Sequence, residues 1–297
     1  MKYLSVAEIA KKWGLKERSV RNYCNKGRVL GAFLDGKTWM IPFNATKPLR
    51  KGMKTPKNTL LSALKEQKET KRKGEIYHKV QIELTYNSNR IEGSRLTLEQ
   101  TRYIYDTNTI GLVNETINVD DVVETVNHFR CVDVIIDKAN FVLTESLIKE
   151  LHKILKNGTS DSRKKWFAVG DYKRVPNEVG GTETTRPEAV QHEIKSLLRD
   201  YNAKKKISFN DIVEFHYQFE KIHPFQDGNG RVGRLIMFKE CLKHNIVPFI
   251  IDENLKLFYY RGLKEWNKHK GYLIDTCLTA QDNFKKYLDY FRIEYEQ

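Results

Sequence analysis

Two apolar runs at helical spacing, parted by a segment that no helix crosses unbroken, constrain this chain most. Upstream, Ile212, Phe215, His216, Phe219 and Ile222 recur at helical spacing behind Ser208, a residue type that caps helix starts. Downstream, from Gly230 to about His244, Leu235, Ile236, Phe238 and Leu242 form a second amphipathic run. Pro224, Gly228 and Gly230 interrupt the chain between them. The pattern predicts two helices joined by a tight connector, with His223 ending the first and Gly228-Asn229-Gly230 opening the second.

Between those helices the side chains have a chemistry of their own. Backbone N–H groups in a first helical turn have no helical acceptor and lie at the positive end of the dipole, so glycines that admit a ligand closely make a phosphate cradle. Arg231 and Arg234 add charge-assisted contacts to the same phosphates, and Asp227 can hold the Mg²⁺ that a polyphosphate brings. His223 is then the nearby group that titrates near neutral pH, and so the candidate general base.

The stretch His223-Pro224-Phe225-Gln226-Asp227-Gly228-Asn229-Gly230-Arg231-Val232-Gly233-Arg234 resembles the HxFx(D/E)GNGRxxR signature of Fic-domain proteins at every fixed position. The resemblance implies transfer of AMP from Mg²⁺-ATP to a Ser, Thr or Tyr hydroxyl of a target protein, with His223 as base and Asp227 as Mg²⁺ ligand. It implies that Phe225 anchors the loop in the core, that Gly228, Asn229 and Gly230 form the anion cradle, and that Arg231 and Arg234 bind phosphate. A phosphorylating branch of that family has lysine where Gly230 stands, so glycine favours nucleotidyl transfer. The signature leaves open another nucleotide, or AMP removal, as the physiological chemistry.

Charge divides the chain. Residues 1–74 hold 19 Lys+Arg against 5 Asp+Glu, and residues 75–297 hold 33 of each, so the net charge of +14 lies in the first quarter. A basic module beside a neutral body points to nucleic acid for the first. Ser5 and Glu8 make a capping box ahead of Val6, Ile9 and Ala10, Gly14 turns the chain, and Glu17 to Asn25 reads as a second helix. Ala32-Phe33-Leu34, Asp35-Gly36 and Thr38-Trp39-Met40-Ile41 then read as a β-hairpin.

Residues 1–46 are similar to excisionase and MerR-type winged helix-turn-helix domains. That likeness implies duplex DNA as partner, with Arg18, Ser19, Arg21 and Asn22 in the major groove and Lys37 at the wing tip on phosphate. It also suggests a homodimer. Residues 47–74 read as a basic linker, with at most a short amphipathic turn at Leu60, Leu61 and Leu64.

Residues 75–297 are assigned to the Fic domain, mainly α. A helix over 75–93 places Tyr77, Val80, Leu84 and Ile91 on one face and ends in Ser88-Asn89-Arg90-Ile91-Glu92-Gly93. This ending resembles the (S/T)xxxE(G/N) inhibitory motif of many Fic proteins, which implies that Ser88, Glu92 and Gly93 restrain the enzyme through a Glu92–Arg234 ion pair. Thr97 and Gln100 make another capping box, and helices follow over 98–106, 120–139 and 144–156. Residues 170–187 break the helical pattern as a short hairpin or irregular ribbon. The family places there a flap that pairs with the target's backbone, a small β element in a helical bundle. Tyr260 and Asn267 are the candidates for adenine and ribose.

Cys24, Cys131, Cys241 and Cys277 lack metal-ligand spacing and read as free, buried thiols. His128, His152, His192 and His216 likewise read as core or surface residues. No apolar run reaches a membrane span and no signal segment opens the chain, so a cytoplasmic protein without a membrane partner is expected. A second reading keeps the nucleotide fold but makes the protein a DNA-binding regulator that senses nucleotide.

Overall fold

Helices account for most of the structure, a computed structural model that describes residues 3–29, 31–36, 38–48, 59–111 and 116–295. The chain divides into two compact units, Met1–Lys57 and Asn58–Gln297.

In the first unit Ser5 caps α1 (Val6–Trp13) with the expected capping box, and Gly14 ends it in the left-handed conformation at φ 62°. Helix α2 (Glu17–Asn25) follows, then strands β2 (Phe33–Asp35) and β3 (Thr38–Pro42). A strand the sequence reading lacked, β1 (Tyr3–Leu4), pairs antiparallel with the far side of β3 and gives the order β1-β3-β2. Two residues carry no periodicity, and so β1 had no signal of its own. Val6, Ile9, Val20, Cys24, Val29 and Ile41 form this unit's core. Arg18, Arg21 and Asn22 are exposed on α2 and Ser19 is half-buried. Lys37 lies outside the described residues.

The second unit corrects the linker. Residues 60–70 form α3 (Leu60–Thr70), capped by Thr59, whose hydroxyl accepts the Ser62 N–H at 3.3 Å. Leu60, Ala63 and Leu64, one helical face, are buried in the main core, and Lys68 pairs with Asp137. Dense lysines along residues 47–73 obscured that face by giving the stretch the composition of a linker.

Helices α4 (Ile76–Ile91), α5 (Leu98–Thr107), α6 (Val119–Asp137) and α7 (Glu145–Lys156) come next. A hairpin of β4 (Glu178–Val179) and β5 (Thr182–Glu183) interrupts before α8 (Pro187–Asn202), α9 (Phe209–Ile222), α10 (Asn229–Lys243), α11 (Lys256–Glu265) and α12 (Gly271–Tyr290). The Thr97–Gln100 capping box opens α5 as expected. Helix α10 is buried from Asn229 to Leu242 and packs against α4, α6, α7 and α9. Its Val232, Leu235, Ile236 and Phe238 are at most 1% exposed. Each such side chain contributes about 1.5–3 kcal/mol by leaving water. A helix wrapped on all sides is a rigid base for whatever its N-terminus holds.

All four cysteines are free and buried. Among the described residues no helix is long and apolar enough to cross a membrane.

Candidate functional site

His223 is where α9 stops. Ser208 caps that helix with a reciprocal Asp211 bond, and His223 closes it at φ 52°, ψ 62° with its N–H on the Phe219 carbonyl. A left-handed histidine is uncommon and costs about 1 kcal/mol or more unless its surroundings hold it. Here they do. Phe225 is fully buried, with its ring stacked on His152 at 3.9 Å between centroids and 4° between planes. Asn229 Oδ1 accepts the Phe225 N–H and its Nδ2 donates to the Phe225 carbonyl, both at 2.8 Å.

The Asn229 side chain is therefore spent on the loop. What it offers a ligand is its backbone amide, in the first turn of α10, which Gly228 opens at φ 83°.

The imidazole has a defined tautomer. His223 Nδ1 lies 3.3 Å from the Glu220 carbonyl, which can only accept, so Nδ1 carries the proton and Nε2 is the basic nitrogen. Burial, helped by nearby Lys173, pulls the His223 pKa down to about 4, against the opposing Glu220 carbonyl, Glu92 and Asp227. At neutral pH the ring is thus uncharged, as a base must be.

Beside it the electrostatics are dense. Asp227 Oδ2 takes Lys156 Nζ at 2.6 Å and Arg231 Nη2 at 3.0 Å. Burial opposes its ionisation, but Arg231 and Lys156 hold Asp227 well below the usual carboxylate range. Its side chain remains 42% exposed, so an ionised oxygen faces the outside. Arg231 and Lys156 also both engage Glu124, and Lys156 is 2% exposed. Arg231 is thus ion-paired to both Glu124 and Asp227. Lys156 and Glu124 gave no signal in the sequence, since a lone charge on an amphipathic helix reads as solvated. His152 Nδ1 accepts the Gly170 N–H at 2.9 Å, so its Nε2 donates to the Asp227 carbonyl at 3.1 Å.

Arg234 faces α4. Its Nη2 meets Glu92 Oε1 at 2.7 Å and the Ser88 carbonyl at 2.9 Å, and its Nε donates to Ser88 Oγ at 3.1 Å. Gly93 turns the chain after Glu92 at φ 99°. A Cβ on Gly230 would overlap the Glu92 carboxylate and the Arg234 guanidinium, so Glu92 lies directly over the second cradle glycine.

Of the remaining candidates, Tyr260 donates to the Ile91 carbonyl at 3.0 Å and sits beside this pair, while its neighbour Tyr259 is buried within 3.5 Å of Arg234. Asn267 lies past the end of α11. Helix α11 ends at Glu265, and the exposed Asn267 accepts the Tyr217 hydroxyl at 3.2 Å. The hairpin at 178–183 lies within the expected flap, with its strands exposed.

Residues 142–241 match the family model described as Fic/DOC family. The chain is 27% identical over 192 residues to a protein adenylyltransferase Fic of Nematostella vectensis, covering 61% of this chain and 42% of that one. A protein of the same name from Aedes aegypti is 26% identical over 196 residues, 63% of this chain and 37% of its own length. The chain thus spans about two fifths of these relatives. A Fic domain containing signaling protein from Bacteroides thetaiotaomicron superposes with a TM-score of 0.59 at 24% identity, covering 77% of this chain and 90% of that one. A fragment of Fic-1 from C. elegans gives 0.58 at 17% identity over 78% and 72% of the two chains.

Proposed function

We propose that this chain, which carries a Fic/DOC domain over residues 142–241, is a self-inhibited protein adenylyltransferase acting on a Ser, Thr or Tyr hydroxyl of a target protein. The observation that carries the reading is a neutral, buried His223 with Nε2 bare, one loop from a glycine-opened helix N-terminus. Nε2 takes the hydroxyl proton as the acceptor oxygen attacks the α-phosphate of ATP, the bond to pyrophosphate breaks, and AMP stays on the acceptor. The amides of residues 229–231 and the Arg234 guanidinium bear the phosphate charge.

Asp227 fits Mg²⁺, being an ionised and partly open carboxylate. Among the described residues no cluster of three or more ligating side chains occurs, so phosphate oxygens would complete the shell. When bound, the ion neutralises charge that develops on the departing pyrophosphate. Lys156 and Arg231 keep the Asp227 carboxylate oriented, and Tyr260 supplies a wall for the base. The β4–β5 hairpin is the edge on which an extended target segment adds.

Glu92 supports the inhibited state. Its carboxylate holds the guanidinium that the γ-phosphate needs, and it overlies Gly230. A displaced γ-phosphate turns the α-phosphate out of line with the attacking oxygen. Glu92→Gly is expected to raise nucleotidyl transfer by about tenfold or more, and Glu92→Gly/His223→Ala to abolish it. Incubation with Mg²⁺ and ATP labelled at the α- or the γ-phosphate, scoring label on protein, tests both. An unchanged rate in Glu92→Gly sinks the inhibition, and γ-label on protein sinks AMP transfer.

A second reading concerns residues 1–46, where a helix-turn-helix with a three-stranded wing lies within the basic first quarter of the chain and holds 9 Lys+Arg against 3 Asp+Glu. Duplex DNA is the partner this combination favours, read by Arg18, Ser19, Arg21 and Asn22 with Lys37 on the backbone, by a homodimer on paired half-sites.

A further inference from the structure

Three lysines of the described residues are buried. Lys156 and Lys239 each hold a carboxylate, and Lys173 forms no ion pair. Its Nζ donates instead to three neutral oxygens: Asn177 Oδ1 at 2.7 Å, Thr184 Oγ1 at 2.6 Å and the Ile222 carbonyl at 3.4 Å. An ammonium has three N–H groups and a neutral amine two, so this set suits the charged form. Burial lowers the Lys173 pKa to about 8, which leaves that form the larger fraction at neutral pH.

These bonds join two segments far apart in sequence. The Lys173 backbone N–H donates to the Pro224 carbonyl at 2.9 Å, and Asn177 Nδ2 to the Phe225 carbonyl at 3.1 Å. With Ile222, the carbonyls of the residue before His223 and of the two after it are all taken from one side. Asn177 precedes β4 and Thr184 follows β5, and the two are bonded to each other through the Thr184 hydroxyl and the Thr184 N–H. Lys173 thus touches both legs of the hairpin and the turn of the base. An apolar side chain would fill the same space without the cost of burying an unpaired charge. What the ammonium adds is direction.

We infer that Lys173 is a positioning residue that clamps both legs of the β4–β5 hairpin to the loop around His223, so that an acceptor segment laid on the hairpin meets Nε2 in one register. This rests on the reading of the hairpin as the acceptor's edge. The clamp predicts that its loss spares nucleotide chemistry with water as acceptor more than transfer to a peptide hydroxyl.

The test uses the full chain carrying Glu92→Gly, alone and with Lys173→Met or Lys173→Arg. Amide hydrogen exchange is measured over residues 174–184 and over α9 and α10. In parallel, Mg²⁺ and α-labelled ATP are supplied with a pool of extended peptides, each with one Ser, Thr or Tyr, and peptide-bound label is compared with free AMP. Lys173→Met is expected to speed hairpin exchange by about tenfold or more with α9 and α10 unchanged, and to lower the peptide-to-free ratio by about tenfold. Lys173→Arg, which keeps the charge and donors, is expected to restore most of both.

Unchanged hairpin exchange, an unchanged ratio, or equal loosening of α9 and α10 would overturn the clamp. Should Lys173→Met not fold, Thr184→Val removes one acceptor and is judged by the same two measurements. If no variant forms any nucleotide product, the nucleotidyl-transfer reading fails on its own. The clamp is then decided by the exchange pattern.

Discussion

Gly233 illustrates how much a single position can carry. A Cβ there would lie 2.8 Å from Glu220 Oε1 and from the His216 ring, both on α9. That close approach packs α9, which ends at His223, against α10, which carries Arg234, so Gly233→Ala is expected to cost about 1–3 kcal/mol, read as a lower denaturant midpoint at unchanged slope. The buried histidines make a second prediction. Burial holds His128, His152 and His216 each at about 3, so the folded state refuses protons that the unfolded chain accepts near 6.5. Their contribution is complete above that value and is lost as pH falls toward 3. Glu220 runs the other way: burial, then Glu92, raises it to about 8 against Arg234, so its share is complete below about 4.5 and lost as pH rises. With His223, held by burial at about 4, counted beside the three histidines, unfolding between pH 5 and 6 should take up two to three protons net, a fall of about 3–4 kcal/mol per pH unit on acidification. Denaturant titrations at stepped pH check the slope, and a flat profile would refute it.

Elements deliver these groups through their ends rather than their faces. Helix α9 presents His223 just past its last residue, α10 presents amides from its first turn, and α4 presents Glu92 just past its own last residue. Caps therefore bear on the site. In α9 the Ser208 hydroxyl accepts the Asp211 N–H at 3.3 Å, and the Asp211 carboxylate accepts the Ser208 N–H at 2.8 Å. Ser208→Ala should cost about 1 kcal/mol of stability while His223, at the far end of the helix, keeps its bond to Glu220. Calorimetry gives the first quantity, and the ring's chemical shifts the second. The capping boxes at Ser5 and Thr97 were legible because each is a local pair three residues apart, and Ser208 was legible as a cap. Strand β1, two residues long, gave no comparable signal, because a strand that short owes its form to its partner.

At the scale of the molecule, charge separates the two units. The first unit, Met1–Lys57, holds 14 Lys+Arg against 3 Asp+Glu, so it carries +11 of the +14, and the proposed binding to DNA phosphates through it should fall steeply with salt. Replacing Arg18 and Arg21 together by alanine in the full chain is expected to weaken duplex binding and to reduce the salt slope by about 2. Equal binding by the double variant at every salt concentration would remove the DNA reading. The Glu92→Gly experiment is independent of that result, since the two units keep separate cores.

Sequence by itself determined what depends on neighbours along the chain. Helix starts, the break at Pro224 to Gly230, the order of base, carboxylate and arginines, and the ending Ser88 to Gly93 are local patterns, and each can be read without a partner. Tertiary structure decided which charges face one another. Lys156, Glu124 and Arg231 converge around Asp227, and Lys173 reaches the Ile222 carbonyl across 49 residues of chain. Those pairings follow from how α6, α7 and α10 pack, and no spacing encodes them. The same packing turned a lysine-rich stretch into the helix α3. A side chain's chemistry is written locally, but whether it is solvated, spent on the loop or free for a ligand depends on what the fold sets against it.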